Sequence, residues 1–235
     1  MSTFARVPAY NGPAPSAPTP SAPPAPTVDV NLHRHSLRAD GDSDPAVQAT
    51  VTRIHDTPLS PAGIQRIHEK GAEPTQYIWC SDLWRCIQTA VEVQKRNGGI
   101  IIIDGDLGEV RHNKVLKRPV EEFDVMDDDE VRKLTQNFIR LDPPVIREET
   151  RGLGGSADAR YRGSLTRIGD WCLRRKVKTV TVISHGDSLG SLAAMCNKSL
   201  YSIEEFGRIT ATYDGTWTYK SNADAGIMDL DNGEW

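Results

Sequence analysis

The stretch VDVNLHRHSLRAD, Val28–Asp40, decides how the chain is read. It begins with the alternation of a β-strand and then crowds His33, Arg34, His35 and Arg38 into the turn that follows. The same arrangement recurs downstream, where TVTVIS, Thr179–Ser184, runs directly into HGDS, His185–Ser188. Two short apolar strands lie between them. YIWC, Tyr77–Cys80, precedes SDLWRCIQTA, and the isoleucine run Ile100–Ile103 precedes DGDLGEV.

Helical signals alternate with these strands. Ser60 is a helix N-cap, Pro61 stands at the first helical position and Gly71 is a C-terminal stop. Leu83, Ile87, Ala90 and Val91 share one face of a second helix, and Tyr161, Leu165, Ile168 and Cys172 form a stripe on a third. Strand and helix in alternation predict an α/β protein. The expected architecture is a three-layer α/β/α sandwich around a mostly parallel sheet, with ligands beyond the carboxyl ends of the strands. TATYDGTWTY predicts a C-terminal hairpin with a tight primed turn at Asp214-Gly215. Residues 111–155 are read as a cap inserted over one face of the sheet. Within them DDDE, Asp127–Glu130, marks a helix start that VRKLTQNFI continues.

Two regions are expected along the chain: a tail over 1–27 and a catalytic domain over 28–235. The tail is nearly all Pro, Ala, Ser and Thr, too poor in apolar volume to offset the entropy of ordering it. Its PxxP spacings, such as Pro20–Pro23, have the form that an SH3-type partner takes, although a bare spacer is the stronger reading. The formal net charge of -4 gives no global attraction for nucleic acid or acidic membranes, so an anion site must be local. The longest aliphatic run, Ile100–Ile103, falls far short of the ~20 residues of a membrane helix. The four cysteines show no paired metal-site spacing and are read as reduced thiols of a cytoplasmic protein.

In a parallel sheet, the segments after the first and last of these strands share one edge, so His35 and His185 approach each other with Arg34, Arg38 and Arg85 around them. Such a pocket suits a phosphate dianion, because arginine supplies forked donors and stays charged at any working pH. A neutral imidazole is also a nucleophile able to accept a phosphoryl group. A carboxylic acid must then protonate the leaving oxygen. Glu109 stands at a suitable strand end, provided that burial or a neighbouring phosphate keeps it protonated.

These residues resemble the histidine phosphatase superfamily, also called phosphoglycerate mutase-like. RHSLR is similar to its RHGxR signature, CSDLWRCIQTA to its S-x-x-x-R-x-x-Q-T-A motif, LGEV to its L-x-E and VISHGDS to its second-histidine motif. The resemblance spans roughly Val28 to Leu200. It implies that His35 becomes phosphorylated, that Arg34, Arg38, Arg85 and His185 hold the phosphoryl oxygens, and that Glu109 is the proton donor. The chain departs from the pattern in carrying Ser36 where glycine is usual. Asp187, close behind the second histidine, is a competing proton donor. The string EVRHNK only half matches the E-R-H-Y-G of the mutases, so the phosphatase branch is the better match.

The implied function is hydrolysis of a phosphate monoester, on a small molecule or a phosphoprotein, without metal or organic cofactor. The alternatives are a mutase-type phosphotransferase and a non-catalytic module that binds phosphorylated ligands. His33 and His35 also form an HxH pair of the kind that holds metal in amidohydrolases, a weaker reading in so short a chain. His55 and His68 are read as exposed or capping residues, and Arg53, Arg66, Arg96 and Arg111 as surface charges.

Overall fold

The computed structural model describes residues 25–53, 56–112, 125–142 and 148–230. The expectations for the Pro-rich tail up to residue 24 and for His55, and residues 113–124 and 143–147 of the expected cap, lie outside the described residues.

Seven strands form one sheet: β1 (Val28–Arg34), β2 (Tyr77–Cys80), β3 (Ile100–Ile103), β4 (Phe138–Arg140), β5 (Thr179–Ser184), β6 (Lys198–Tyr213) and β7 (Trp217–Asp229). Their order is β4-β3-β2-β5-β1-β6-β7. The pairings from β4 to β1 are parallel, and the β6–β7 hairpin adds two antiparallel strands at the β1 side. Among the described residues the α-helices are α1 (Pro45–Gln48), α2 (Pro61–Lys70), α3 (Trp84–Asn97), α4 (Asp128–Arg132), α5 (Ser156–Arg175) and α6 (Gly186–Met195).

The period-two pattern of the short strands separates two cores. Ile78, Cys80, Ile101, Ile103 and Ile183 pack with Ile67 of α2 and Ile87 and Ala90 of α3. Their neighbours Trp79, Ile102, Val180 and Val182 pack on the opposite face with Leu165 and Ile168 of α5 and Leu189 and Leu192 of α6. The result is the expected α/β/α sandwich. Helix α2 starts where its sequence signals put it: the Ser60 side chain accepts from the Gly63 N–H, and Gly71 ends it at φ +69°. Gly63 is needed for close approach, since a Cβ there would lie 2.3 Å from the Leu37 carbonyl oxygen in the turn after β1.

Two local expectations change. Asp127 and Glu130 do form a capping box, but the helix ends at Arg132. Thr135 then accepts the Asn137 N–H, and Phe138–Arg140 pairs with the edge of β3, so open strand edge and side-chain competition override helix propensity. Part of the expected cap is therefore sheet. The hairpin turns through three residues, Asp214–Thr216, rather than two, with Asp214 accepting from the backbone and hydroxyl of Thr216. It is also much longer than TATYDGTWTY. Its register slips between Leu200 and Ser202 and between Ile203 and Arg208, beside the edge where the site lies.

Candidate active site

Strand register brings the two histidines together. Arg34 pairs with Ser184 as the last rung between β1 and β5, so His35 and His185 leave adjacent strands at the same level. Their rings face edge to face at 5.4 Å between centroids. The chain crosses from β1 to β2, moves outward, and returns by β5 between them, which makes this edge a topological switch point.

Each member of the cluster is held by its own partners. The His35 carbonyl accepts from the Phe206 N–H at 3.0 Å, and its Nδ1 lies 2.8 Å from the Ser36 carbonyl oxygen. A carbonyl only accepts, so Nδ1 carries the proton and Nε2 keeps its lone pair. Ser36 fills the usual glycine position constructively: its hydroxyl donates to the Gly63 carbonyl at 2.7 Å, and its N–H donates to Thr89 at 3.2 Å. Phe206 adopts φ +59°, a left-handed conformation costly for an aromatic residue, in the irregular stretch of β6. That residue fixes His35 through its N–H and stacks its ring on His33 at 4.8 Å. The HxH pair is thereby split, one imidazole against Phe206 and the other against His185. Among the described residues no group of three or more His, Cys, Asp or Glu is arranged to hold a metal ion.

His185 is fully buried, with Nε2 3.0 Å from the Ser81 hydroxyl and Nδ1 3.3 Å from Glu109 Oε2. Arg85 Nη2 approaches the same Glu109 oxygen at 3.4 Å. Arg85 enters from α3, whose first turn is held by a residue the sequence reading passed over: the buried Asp56 accepts from the Trp84 N–H at 2.5 Å and lies 4.0 Å from Arg85 Nη1. Glu109 follows the turn after β3, and α5 secures that loop. Arg160 grips Glu149 at 2.6 and 2.8 Å and donates to the carbonyls of Asp106, Gly108 and Glu109, while Tyr161 donates to the Gly108 carbonyl.

Arg111 belongs to this anchor and is not the surface charge expected; it is buried, donating to the Gly105 carbonyl at 2.7 Å. Arg53 and Arg66 are likewise half-buried ion pairs, with Glu130 and Glu204. His68 and Arg96 are exposed, as expected.

A cavity of about 400 Å³ opens over the cluster, lined by Arg34, His35, Arg38 and Glu109 and closed by Arg151, Asp187 and the bent start of β6. Arg34 and Arg38 are each engaged by a carboxylate, Glu205 and Asp40. Arg151, from the expected cap, pairs with Asp187 at 3.2 Å. Its place on the pocket wall had no sequence signal. Ser81 did have one, as the serine of the S-x-x-x-R motif.

Burial, with Arg85 and His185 adding to it, holds the His35 imidazole well below its ordinary pKa, so it is neutral at pH 7. Burial also lowers His185, against the pull of Glu109. For Glu109 burial acts upward, but His185, Arg85 and the Val110 N–H outweigh it and hold the carboxyl well below the usual range. Glu109 is therefore ionised here, and burial alone does not make it an acid.

These shifts set a pH dependence of stability. Burial, then Arg208, pushes His33 down to about 3. Unfolded histidines titrate near ~6.5, so as pH falls below that value His33, His35 and His185 bind protons only in the unfolded chain, and stability drops. Asp56 acts oppositely: burial raises it to about 7, so its contribution is lost as pH rises toward that value. His33 contributes up to about 1.4 kcal/mol per pH unit to a rise in stability between pH ~5 and ~6, which His35 reinforces and the burial-raised Asp56 and Asp82 oppose. Urea denaturation across this window reads the net slope, and His33→Phe should reduce it by about 1.4 kcal/mol per pH unit. An unchanged slope in the variant would contradict the assignment.

One edge of a parallel sheet thus carries two apposed histidines, a buried arginine and a carboxylate, the elements of an α/β anion site. A family model described as histidine phosphatase superfamily (branch 1) matches residues 32–213, and the chain belongs to that family. The fold is similar to an ecdysone phosphate phosphatase from Bombix mori solved with tungstate (15% identity, 88% of this chain and 97% of that chain, TM-score 0.59). It is also similar to a phosphoglycerate mutase from Bacillus anthracis str. Sterne (16% identity, 84% and 93% covered, TM-score 0.56). A third likeness is to Bacillus stearothermophilus YhfR (20% identity, 82% and 95% covered, TM-score 0.53). No curated protein matches the sequence. All four cysteines are free and buried, and among the described residues no helix is long and apolar enough to cross a membrane.

Proposed function

We propose that the chain hydrolyses phosphate monoesters through a phosphohistidine on His35. The observation that supports this most is the state of His35: neutral, with Nδ1–H committed to the Ser36 carbonyl, beside His185 and Arg85. The Nε2 lone pair attacks phosphorus as the bond from phosphorus to the leaving oxygen breaks, and Arg85 and His185 stabilise the equatorial oxygens. Arg34 and Arg38 complete the clamp by exchanging their carboxylate partners for phosphate.

Glu109 gives its proton to the leaving oxygen. Water then attacks the phosphohistidine, Glu109 takes the water's proton, and the N–P bond breaks to release phosphate. The acid form arises on binding: a dianion draws Arg85 and His185 away from Glu109 and repels its charge, raising its pKa. A cytoplasmic setting fits the free, buried thiols, and the substrate is a phosphorylated small molecule or phosphoprotein.

Rapid quench with labelled substrate tests the reading. The protein should carry acid-labile, base-stable label that maps to His35. Label on another residue, or turnover without any, would sink the mechanism.

A further inference from the structure

The phosphate pocket continues past Asp187. A second cavity of about 190 Å³ adjoins it, and Gly186, Asp187 and Leu200 line both. Its floor is Val110, Ala157 and Tyr161, a small buried cluster detached from the two main cores. Leu153 and Leu200 make its walls, and Leu153 is 63% exposed, an apolar side chain held at the rim.

The charged groups around it are already engaged. Asp158 accepts from Ser191 at 2.6 Å and from the Gly154 N–H at 2.9 Å and pairs with Arg162; Asp187 pairs with Arg151, and Lys198 with Asp229. A group entering this space meets a mixed lining, with the apolar floor and walls beside charged side chains that already have partners. In volume the space exceeds the roughly 150 Å³ that suffices for benzene in an engineered cavity of another protein.

The position of the cavity relative to the chemistry is equally specific. Val110 directly follows Glu109, and Asp187 lines both spaces. Glu109 and Asp187, the two carboxyls able to protonate the leaving oxygen, therefore stand at the junction of the two spaces.

Gly190, inside α6, lines it as well, and a Cβ built there meets nothing within 4 Å. Glycine weakens a helix interior relative to alanine. On α5 a close approach explains Gly169, where a Cβ would lie 2.3 Å from the Tyr213 ring, whereas Gly163, like Gly190, has open space around it. No neighbour demands glycine at 190, and its missing side chain leaves the cavity open.

We propose that this cavity is the leaving-group subsite of the enzyme, that it takes an aryl group, and that Gly190 sets this specificity by keeping the space clear. The assignment rests on the phosphatase reading, yet binding can test it without turnover. Benzylphosphonate, in which CH2 replaces the bridging oxygen of phenyl phosphate, is compared with methylphosphonate by calorimetry on the full chain. The native protein should bind the benzyl compound at least tenfold more tightly. Gly190→Leu, which fills the cavity, should bring the ratio within threefold, and Gly190→Ala should lower it by less. The alanine variant guards against misfolding, because its Cβ enters open space in a helix.

A native ratio near one, or a ratio that neither variant changes, would overturn the subsite. Loss of the phosphatase reading would appear elsewhere, as absence of labelled His35 in the quench, with the phosphonate ratio intact.

Discussion

His35→Ala is expected to cut turnover of any phosphate monoester on the order of 10^5-fold, the scale lost when a nucleophile that works as part of a unit is removed. Affinity for inorganic phosphate should change far less. In the proposed mechanism the charge that holds a dianion resides in Arg34, Arg38 and Arg85, and none of these depends on the His35 ring for its position: Arg85 rests on α3 near Asp56, Arg34 on Ile203 and Glu205, and Arg38 on Asp40. The His35 backbone is fixed independently by Ser184 and Phe206. Steady-state kinetics and phosphate titration of the variant read the two effects separately. Near-normal turnover would remove the phosphohistidine from the mechanism. Equal loss of binding and turnover would make His35 a binding residue instead.

The parts of this site that were legible in the sequence are those fixed by local grammar. Strand alternation followed by RHSLR or SHGDS locates His35 and His185 at strand ends, and parallel register then brings them together. Arg85 and Glu109 were legible for the same reason, each lying shortly after a strand. What the sequence hid depends on contacts across long separations. Asp56 is a loop carboxylate until α3 packs its first turn against it. Arg111 reads as a solvated charge in a polar stretch, and only the closure of the 105–111 loop against Glu149 buries it. Phe138–Arg140 looks like a helix continuation because nothing nearby reveals that the edge of β3 is open. The ionisation of Glu109 was also out of reach, since it turns on two donors from elsewhere in the chain, Arg85 of α3 and His185 at the start of α6, meeting one carboxylate oxygen.

That ionisation leads to the second large effect. Glu109→Gln should slow esters with poor leaving groups, such as alkyl phosphates, about 10^2–10^4-fold, the usual span of general acid catalysis. It should slow p-nitrophenyl phosphate much less, because nitrophenolate leaves with little need of a proton. Asp187→Asn should do less to either ester, since Asp187 pairs with Arg151 at the cavity wall while Glu109 touches both His185 and Arg85. Binding carries an independent signature of the same event. If a dianion raises the Glu109 pKa by taking over its donors, phosphate binding near pH 7 must draw in a proton. Calorimetry in buffers of different ionisation enthalpy should then register an uptake approaching one proton per site, absent from Glu109→Gln and retained in Asp187→Asn. The reverse pattern would move the acid to Asp187, and no uptake in any variant would mean that the substrate itself brings the proton.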